Sequence, residues 1–168
     1  MAILQENYFG CGGSIINESY ILTAGHCAPE KEQGVAGTST YYEGGVKVNV
    51  IKRILHENYS DNSEDIGILV LEKPLTFSNS IQPIELLTED ISRLKKVTIV
   101  GFGQVDTFGP LADTLKYNSV DVLSADECNR TMGIDYPGQV CYVHQIGNGA
   151  CYVSSFLLQV ELILTTLL

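Results

Sequence analysis

Short β-favouring runs dominate the chain and limit what it can fold into: "GSII", "YILTA", "VKVNVIKRIL", "DIGILVLE", "KVTIVGF" and "KYNSVDVL". Turn-forming residues such as Asn17, Gly34, Gly44-Gly45, Asp61-Asn62, Pro74 and Gly109-Pro110 divide them at the intervals of a barrel or sandwich. Long helical periodicity is missing, so the fold class is all-β. In "VKVNVIKRIL", Val46, Val48 and Val50 fall on one face and Lys47 and Asn49 on the other, as in a strand with one wet side. The stretch "FSNSIQPIELLTED", residues 77–90, is the linker candidate between two strand-rich blocks. After "VDVL", "SADECNRTMG" predicts a short helix opened by Ser124, with Glu127 as its capping-box partner.

Charge narrows the partners. Twenty acidic against ten basic side chains give a formal net charge of −10, which repels nucleic acid and anionic membranes. The same charge suits solubility in an acidic or salty fluid. No apolar run reaches the roughly 18 residues of a membrane helix, and "MAILQENYFG" lacks the basic start and apolar middle of a signal peptide. Five cysteines (Cys11, Cys27, Cys128, Cys141, Cys151) form no CxxC pair, which disfavours zinc and thioredoxin-like chemistry; no metal or other cofactor is expected. Two disulfides and one unpaired thiol is the simplest accounting. Disulfides point outside the reducing cytosol, and sequons at Asn17, Asn58 and Asn129 agree with that.

The chemistry begins in "CGGSIINESYILTAGHC". His26 directly precedes Cys27, which lies sixteen positions after Cys11 with two β-runs between. A disulfide across that hairpin would pin the backbone beside the imidazole and fix its orientation, as a general base requires. This stretch resembles the histidine loop of the chymotrypsin-like serine proteases, CGGS(L/I)I followed by LTAAHC, with Gly25 replacing the second alanine. A second match is "SEDIGILVLEKPL", where the family carries DIAL(L/I)KL; the resemblance gives Asp65 the role of orienting His26 and stabilising its cation. The order His, Asp, Ser along the chain is also the family's.

Farther on, "VTIVGFGQVDTFGPLADTLKYNSVDVLSADECN" resembles the opening of the family's second barrel, with Phe102 in place of a tryptophan. The resemblance, which covers residues 3–152, implies the disulfides Cys11–Cys27 and Cys128–Cys141 and leaves Cys151 unpaired. It implies a chymotrypsin-like double β-barrel with the second barrel incomplete. Residues 1–82 would form the first barrel, lacking the amino-terminal activation segment. Residues 83–96 would cross between barrels, 97–152 form a partial second barrel, and 153–168 form a divergent apolar tail.

At the nucleophile the match weakens. The family follows the cysteine aligned with Cys151 by x-G-D-S-G-G-P, whereas the chain reads Tyr152-Val153-Ser154-Ser155-Phe156-Leu157. Counting places Ser155 at the nucleophile. Val153 replaces a glycine whose N–H forms half of the oxyanion hole, Ser154 replaces an aspartate that pairs with the activated amino terminus, and Phe156 and Leu157 replace turn glycines. The tail "FLLQVELILTTLL" has nine apolar residues of thirteen. It reads as the product of a shifted frame, a retained intron or an alternative last exon; structurally it is an apolar strand filling the half-built barrel or an aggregation-prone segment. Gly149 and Ala150 stand where trypsin-like members place an acidic pocket floor, so the expected specificity is for large apolar or aromatic residues, although Gly149 also suits a plain turn.

The resemblance therefore implies a secreted, monomeric serine endopeptidase acting through His26, Asp65 and Ser155, whose partners are protein or peptide substrates or protease inhibitors, without nucleic acid or membrane. The chain as written is expected to be inactive. A non-catalytic homologue that keeps a protein-binding surface and an unstable product are the alternatives. His56 and His144 are read as surface residues, and "YYEGG" (41–45) as an exposed hairpin tip.

Overall fold

The structure, a computed structural model, describes residues 2–4, 11–28, 32–60, 64–88, 96–104, 109–132 and 141–143. Ten strands appear among them: β1 (Ala2–Leu4), β2 (Cys11–Gly12), β3 (Ser14–Ile15), β4 (Tyr20–Thr23), β5 (Glu32–Ala36), β6 (Val46–Leu55), β7 (Gly67–Leu71), β8 (Lys96–Gly101), β9 (Lys116–Val122) and β10 (Tyr142–Val143). A helix, α1 (Ala125–Met132), and a 3₁₀ turn over Gly25–Cys27 complete the inventory.

The first seven strands form one antiparallel sheet in the order β2-β1-β5-β6-β7-β4-β3. Its two edge strands, β2 and β3, are separated in sequence only by Gly13. Consecutive Cα atoms lie about 3.8 Å apart, so the opposite edges must come together and the sheet curls into a barrel. Inside it lies a core of Ile15, Ile21, Ala28, Ala36, Val48, Val50, Leu69, Leu71, Leu75 and Ile81. On β7, Gly67, Leu69 and Leu71 face this core while Ile68 and Val70 are half-buried on the other side. On β6 the alternation holds for Val48 and Val50 but not for Val46, which is 52% exposed although its ladder partner Ala36 is buried. A bulge between Val50 and Lys52 then leaves Ile51 without a partner in the β7 register.

β8, β9 and β10 form a second antiparallel sheet with Val97, Ile99 and Val120 at its centre. The predicted capping box is present at α1: the Ser124 N–H donates to Glu127 Oε2 at 3.0 Å and the Glu127 N–H to Ser124 Oγ at 3.3 Å. Cys128 on α1 is bonded to Cys141 just before β10, with Cα atoms 5.8 Å apart.

The loop between β5 and β6 departs from a plain exposed tip. Tyr42 through Gly45 are exposed, and Gly44 and Gly45 take the positive φ of the turn. Thr40, however, pairs with Thr114; the Tyr41 N–H donates to Asp113 O at 2.9 Å, and the Leu115 N–H to Ser39 O at 2.8 Å. The Tyr41 ring meets buried Phe102 edge-on, centroids 5.3 Å apart. This loop thereby joins the segment before β6 to the segment before β9.

Candidate active site

His26 and Asp65 sit at one end of the β4–β7 ladder. The register Tyr20↔Val70, Ile21↔Leu69, Leu22↔Ile68, Thr23↔Gly67 closes with Thr23, just before the histidine turn, opposite Gly67, just after the aspartate. Residues 39 apart in sequence are therefore fixed side by side. At the turn, the Cys27 N–H donates to Ala24 O and the Ala28 N–H to Gly25 O, both at 3.0 Å. The Cys11–Cys27 disulfide clamps it from below, with both cysteines buried. The Thr23 hydroxyl donates to Gly12 O at 2.8 Å, and Arg53 Nη1 on β6 donates to Ala28 O at 2.8 Å, so both ends of the turn are held. Sequence reasoning missed the support from Arg53, since nothing local in "KRIL" points to the histidine loop.

β7 approaches this turn closely at Gly67. A Cβ on Gly67 would lie 3.1 Å from the Ala28 Cβ, 3.3 Å from Leu55 Cδ2 and 3.4 Å from the Gly25 Cα. On the aspartate side the chain turns through Glu64, a non-glycine residue with φ 52°. That conformation costs about 1 kcal/mol or more for an L-residue with a Cβ. It is held by the Ile66 N–H donating to Glu64 O at 2.7 Å and the His56 N–H donating to Ile66 O at 3.2 Å. His56 is on the surface as expected, but its Nδ1 lies 3.9 Å from Glu64 Oε2, so it faces the same loop.

The two predicted residues meet at two points. The His26 backbone N–H donates to Asp65 Oδ1 at 2.8 Å, and His26 Nδ1 lies 2.6 Å from Asp65 Oδ2. A carboxylate can only accept, so Nδ1 carries the hydrogen and the neutral ring has its lone pair on Nε2. Each side chain is about one third exposed, at 32% and 31%. The arrangement thus presents a tautomerically fixed base backed by an anion, able to take a proton at Nε2 and to stabilise the resulting cation.

Cys11, His26 and Cys27 place their donor atoms within 4.8 Å of one another. The two sulfurs are bonded to each other, so neither is a thiolate and the trio offers a metal only the imidazole. Ser155, Gly149, Ala150, Cys151 and His144 lie outside the described residues.

Comparison with known proteins gives a consistent set of matches. The family model described as Trypsin matches residues 1–154. The "Serine protease SP24D" of Anopheles gambiae is 33% identical over 158 residues, covering 90% of this chain and 58% of that protein. The chain thus spans less than two thirds of that relative's length. "Trypsin-1" of Astacus astacus is 34% identical over 167 residues, covering 88% of this chain and 70% of that protein. "Chymotrypsin" of Phaedon cochleariae is 31% identical over 163 residues, covering 90% and 59% respectively. Among solved structures, one titled "Structure of GrC" superposes with a TM-score of 0.79 over 94% of this chain and 78% of its own, at 20% identity, a likeness of fold.

Proposed function

The chain belongs to the trypsin family, and on that premise we propose that it is of the serine endopeptidase type, with His26 as general base, Asp65 as its orienting anion and Ser155 as nucleophile. The observation that carries this reading is the two-point contact between His26 and Asp65. In the proposed reaction the Ser155 Oγ–H proton passes to His26 Nε2 as the Oγ–C bond to the scissile carbonyl forms. The imidazolium so produced is stabilised by Asp65, and its proton then goes to the leaving amine as the C–N bond breaks. Protein or peptide chains are the substrates. Gly149 and Ala150, which carry no charge, favour a large apolar or aromatic side chain in the specificity pocket. Secretion of this chain is part of the same proposal, and the Cys11–Cys27 and Cys128–Cys141 disulfides support it.

The base and the nucleophile are unequally equipped. Val153, Ser154, Phe156 and Leu157 depart from the family's pattern around the nucleophile. Val153 keeps an N–H, but a β-branched residue resists the backbone angles open to the glycine it replaces, and losing the aim of one oxyanion donor costs up to about 2.7–4 kcal/mol in the transition state, a factor of 10²–10³ in rate. We therefore assign this sequence weak or no turnover. A non-catalytic role as a protein-binding homologue is the second reading, and the same four residues favour it. A fluorophosphonate probe separates the two. Labelling at Ser155 that disappears in His26→Ala supports the hydrolase; absence of labelling in a cooperatively folded chain removes it in favour of the binding homologue.

A further inference from the structure

We propose that Asn58 is a site of N-linked glycosylation, the one of the three sequons that the fold leaves open to a sugar chain; the proposal rests on the reading of the chain as secreted.

The sequence offers three acceptors: Asn17-Glu-Ser, Asn58-Tyr-Ser and Asn129-Arg-Thr. A transferase reads the asparagine amide together with the hydroxyl two residues on, and the folded chain must then carry a bulky, hydrated group at that amide. Both demands are geometric, and the three sequons meet them unequally.

Asn58 meets both. It sits in the turn that follows β6, which is closed by the Tyr59 N–H donating to His56 O at 3.0 Å, and its own backbone N–H donates to His56 Nδ1 at 3.3 Å. Asparagine suits such a position. Asn58 and Ser60 are both exposed, and among the described residues the Asn58 side chain has no hydrogen-bond partner, so its Nδ2 is uncommitted. Tyr59 between them is half-buried, with its ring beside Gly25 of the histidine turn. The sequon is thus anchored at its middle residue and open at the two positions that are read. Ile54 and Ile66, 44% and 43% exposed, adjoin the same turn through the His56 N–H bond to Ile66 O. A hydrated sugar chain here stands beside apolar surface that otherwise faces water.

The other two sequons fall short, each for a local reason. Asn17 is half-buried, and its Oδ1 accepts from the Ser19 N–H at 2.8 Å and from the Tyr20 N–H at 2.9 Å. Both lone pairs of that oxygen are engaged, which fixes the amide. The turn is also pinned to the chain after β7 by the Leu75 N–H donating to Glu18 O at 2.7 Å. Asn129 is exposed but lies within α1, where residues two apart point about 200° from each other, so Thr131 presents its hydroxyl on the opposite side.

In the transfer, a bond forms between Asn58 Nδ2 and C1 of the first sugar as the C1–O bond to the diphosphate of a lipid-linked oligosaccharide breaks. Nδ2 gives up one proton, the amide stays neutral, and the lipid diphosphate leaves as an anion.

The test sends the full 168-residue chain into the secretory pathway of a eukaryotic host behind an added leader, and maps the glycans on all translocated chain by mass spectrometry. Enzymatic release of an N-glycan converts its asparagine to aspartate, which marks each occupied site. A glycan is expected at Asn58 in most molecules and at Asn17 and Asn129 in a minority. Asn58→Gln, and Ser60→Ala, which removes only the hydroxyl, should each abolish the glycan at this sequon, read as the loss of one glycan mass; Ser60→Thr should retain it. An Asn58 that is bare in most molecules overturns the proposal, as does higher occupancy at Asn17 or Asn129. Occupancy is read on retained and exported chain alike, so a variant that folds poorly still gives an answer. The added leader supplies the route, so a bare Asn58 counts against the site alone; the secretion reading is decided separately, by where the unaltered chain is found in its own cells.

Discussion

Leu69→Ala tests whether the β4–β7 ladder that carries the site is anchored by core packing. Leu69 is 0% exposed at the middle of β7, opposite Ile21, which is also 0% exposed. Truncation removes three carbons, worth about 0.8 kcal/mol each in transfer, or about 2.4 kcal/mol together. A residual void on the order of 50 Å³ adds about 1.2 kcal/mol at roughly 24 cal/mol per Å³. The expected loss is therefore about 3.5 kcal/mol, a large part of the roughly 5–15 kcal/mol that a domain possesses.

In urea, with an m-value of about 2 kcal/mol/M, that loss moves the unfolding midpoint down by about 1.5–2 M. Ile51→Ala provides the reference, because Ile51 is 57% exposed beside the β6 bulge and should change stability by no more than about 0.5 kcal/mol. Below its own midpoint, Leu69→Ala should keep the His26–Asp65 contact, since backbone register rather than the leucine side chain sets it. A cost under about 1 kcal/mol, or one equal to that of Ile51→Ala, would refute the placement of Leu69 in the core and the account of the ladder with it.

Three other outcomes are expected. Replacing Cys11 and Cys27 together by serine should lower stability by about 3 kcal/mol through the closed loop it releases, measured as a fall in Tm smaller than that produced by reductant treatment of the parent, which also opens Cys128–Cys141. Ser124→Ala should cost about 1 kcal/mol as a lost helix cap. Hydrogen bonds from the Ser124 hydroxyl and, secondarily, its backbone N–H hold the Glu127 carboxyl below its usual 4.5, so its contribution is present above that value and lost as pH falls through the lower folded value; urea melts at descending pH should show this acid loss in the parent and a smaller one in Ser124→Ala, which keeps the N–H. Burial pushes the Tyr142 phenol above its ordinary 10.0, so its contribution is complete below about pH 10 and disappears as pH rises through the folded value. Tyr142→Phe should remove that alkaline loss, read from melts paired with tyrosinate absorbance.

What could be read from the sequence followed the range of the interaction. Alternation in "GILVL" and "VKVNV" is a local consequence of strand geometry, and both became core-facing strands. The Ser124–Glu127 box spans one helical turn and was equally visible. Val46 shows where alternation misleads: the pattern assigns a face but not how well each residue on it is covered. Tyr41 was hidden for a different reason. Its burial depends on Phe102 and Asp113, residues whose approach is a tertiary fact with no local trace. Gly25 lay between these cases. The substitution was visible, while the Tyr59 ring beside it lies 34 positions downstream, beyond β5 and β6, and only coordinates bring the two together.

His26 and Asp65 were legible because the disulfide, the histidine turn and the β7 strand each carry a recognisable local pattern, and the fold brings those patterns to one end of a single ladder. Among the described residues, every named contact that fixes the pair comes from between Cys11 and Leu71: the disulfide, Thr23 to Gly12, Arg53 to Ala28, the Glu64–Ile66 turn and the glycine approaches. These contacts all belong to the first sheet and its loops. In the proposed mechanism the nucleophile comes from beyond Tyr152, on a different stretch of chain. Changes there act on turnover through the hydroxyl and its oxyanion donors, with no route through the contacts named here by which to disturb the His26–Asp65 hydrogen bonds. Under that mechanism a chain can lose hydrolysis and still keep the His26–Asp65 hydrogen bonds, so absence of the phosphonate label is no evidence that those bonds are broken.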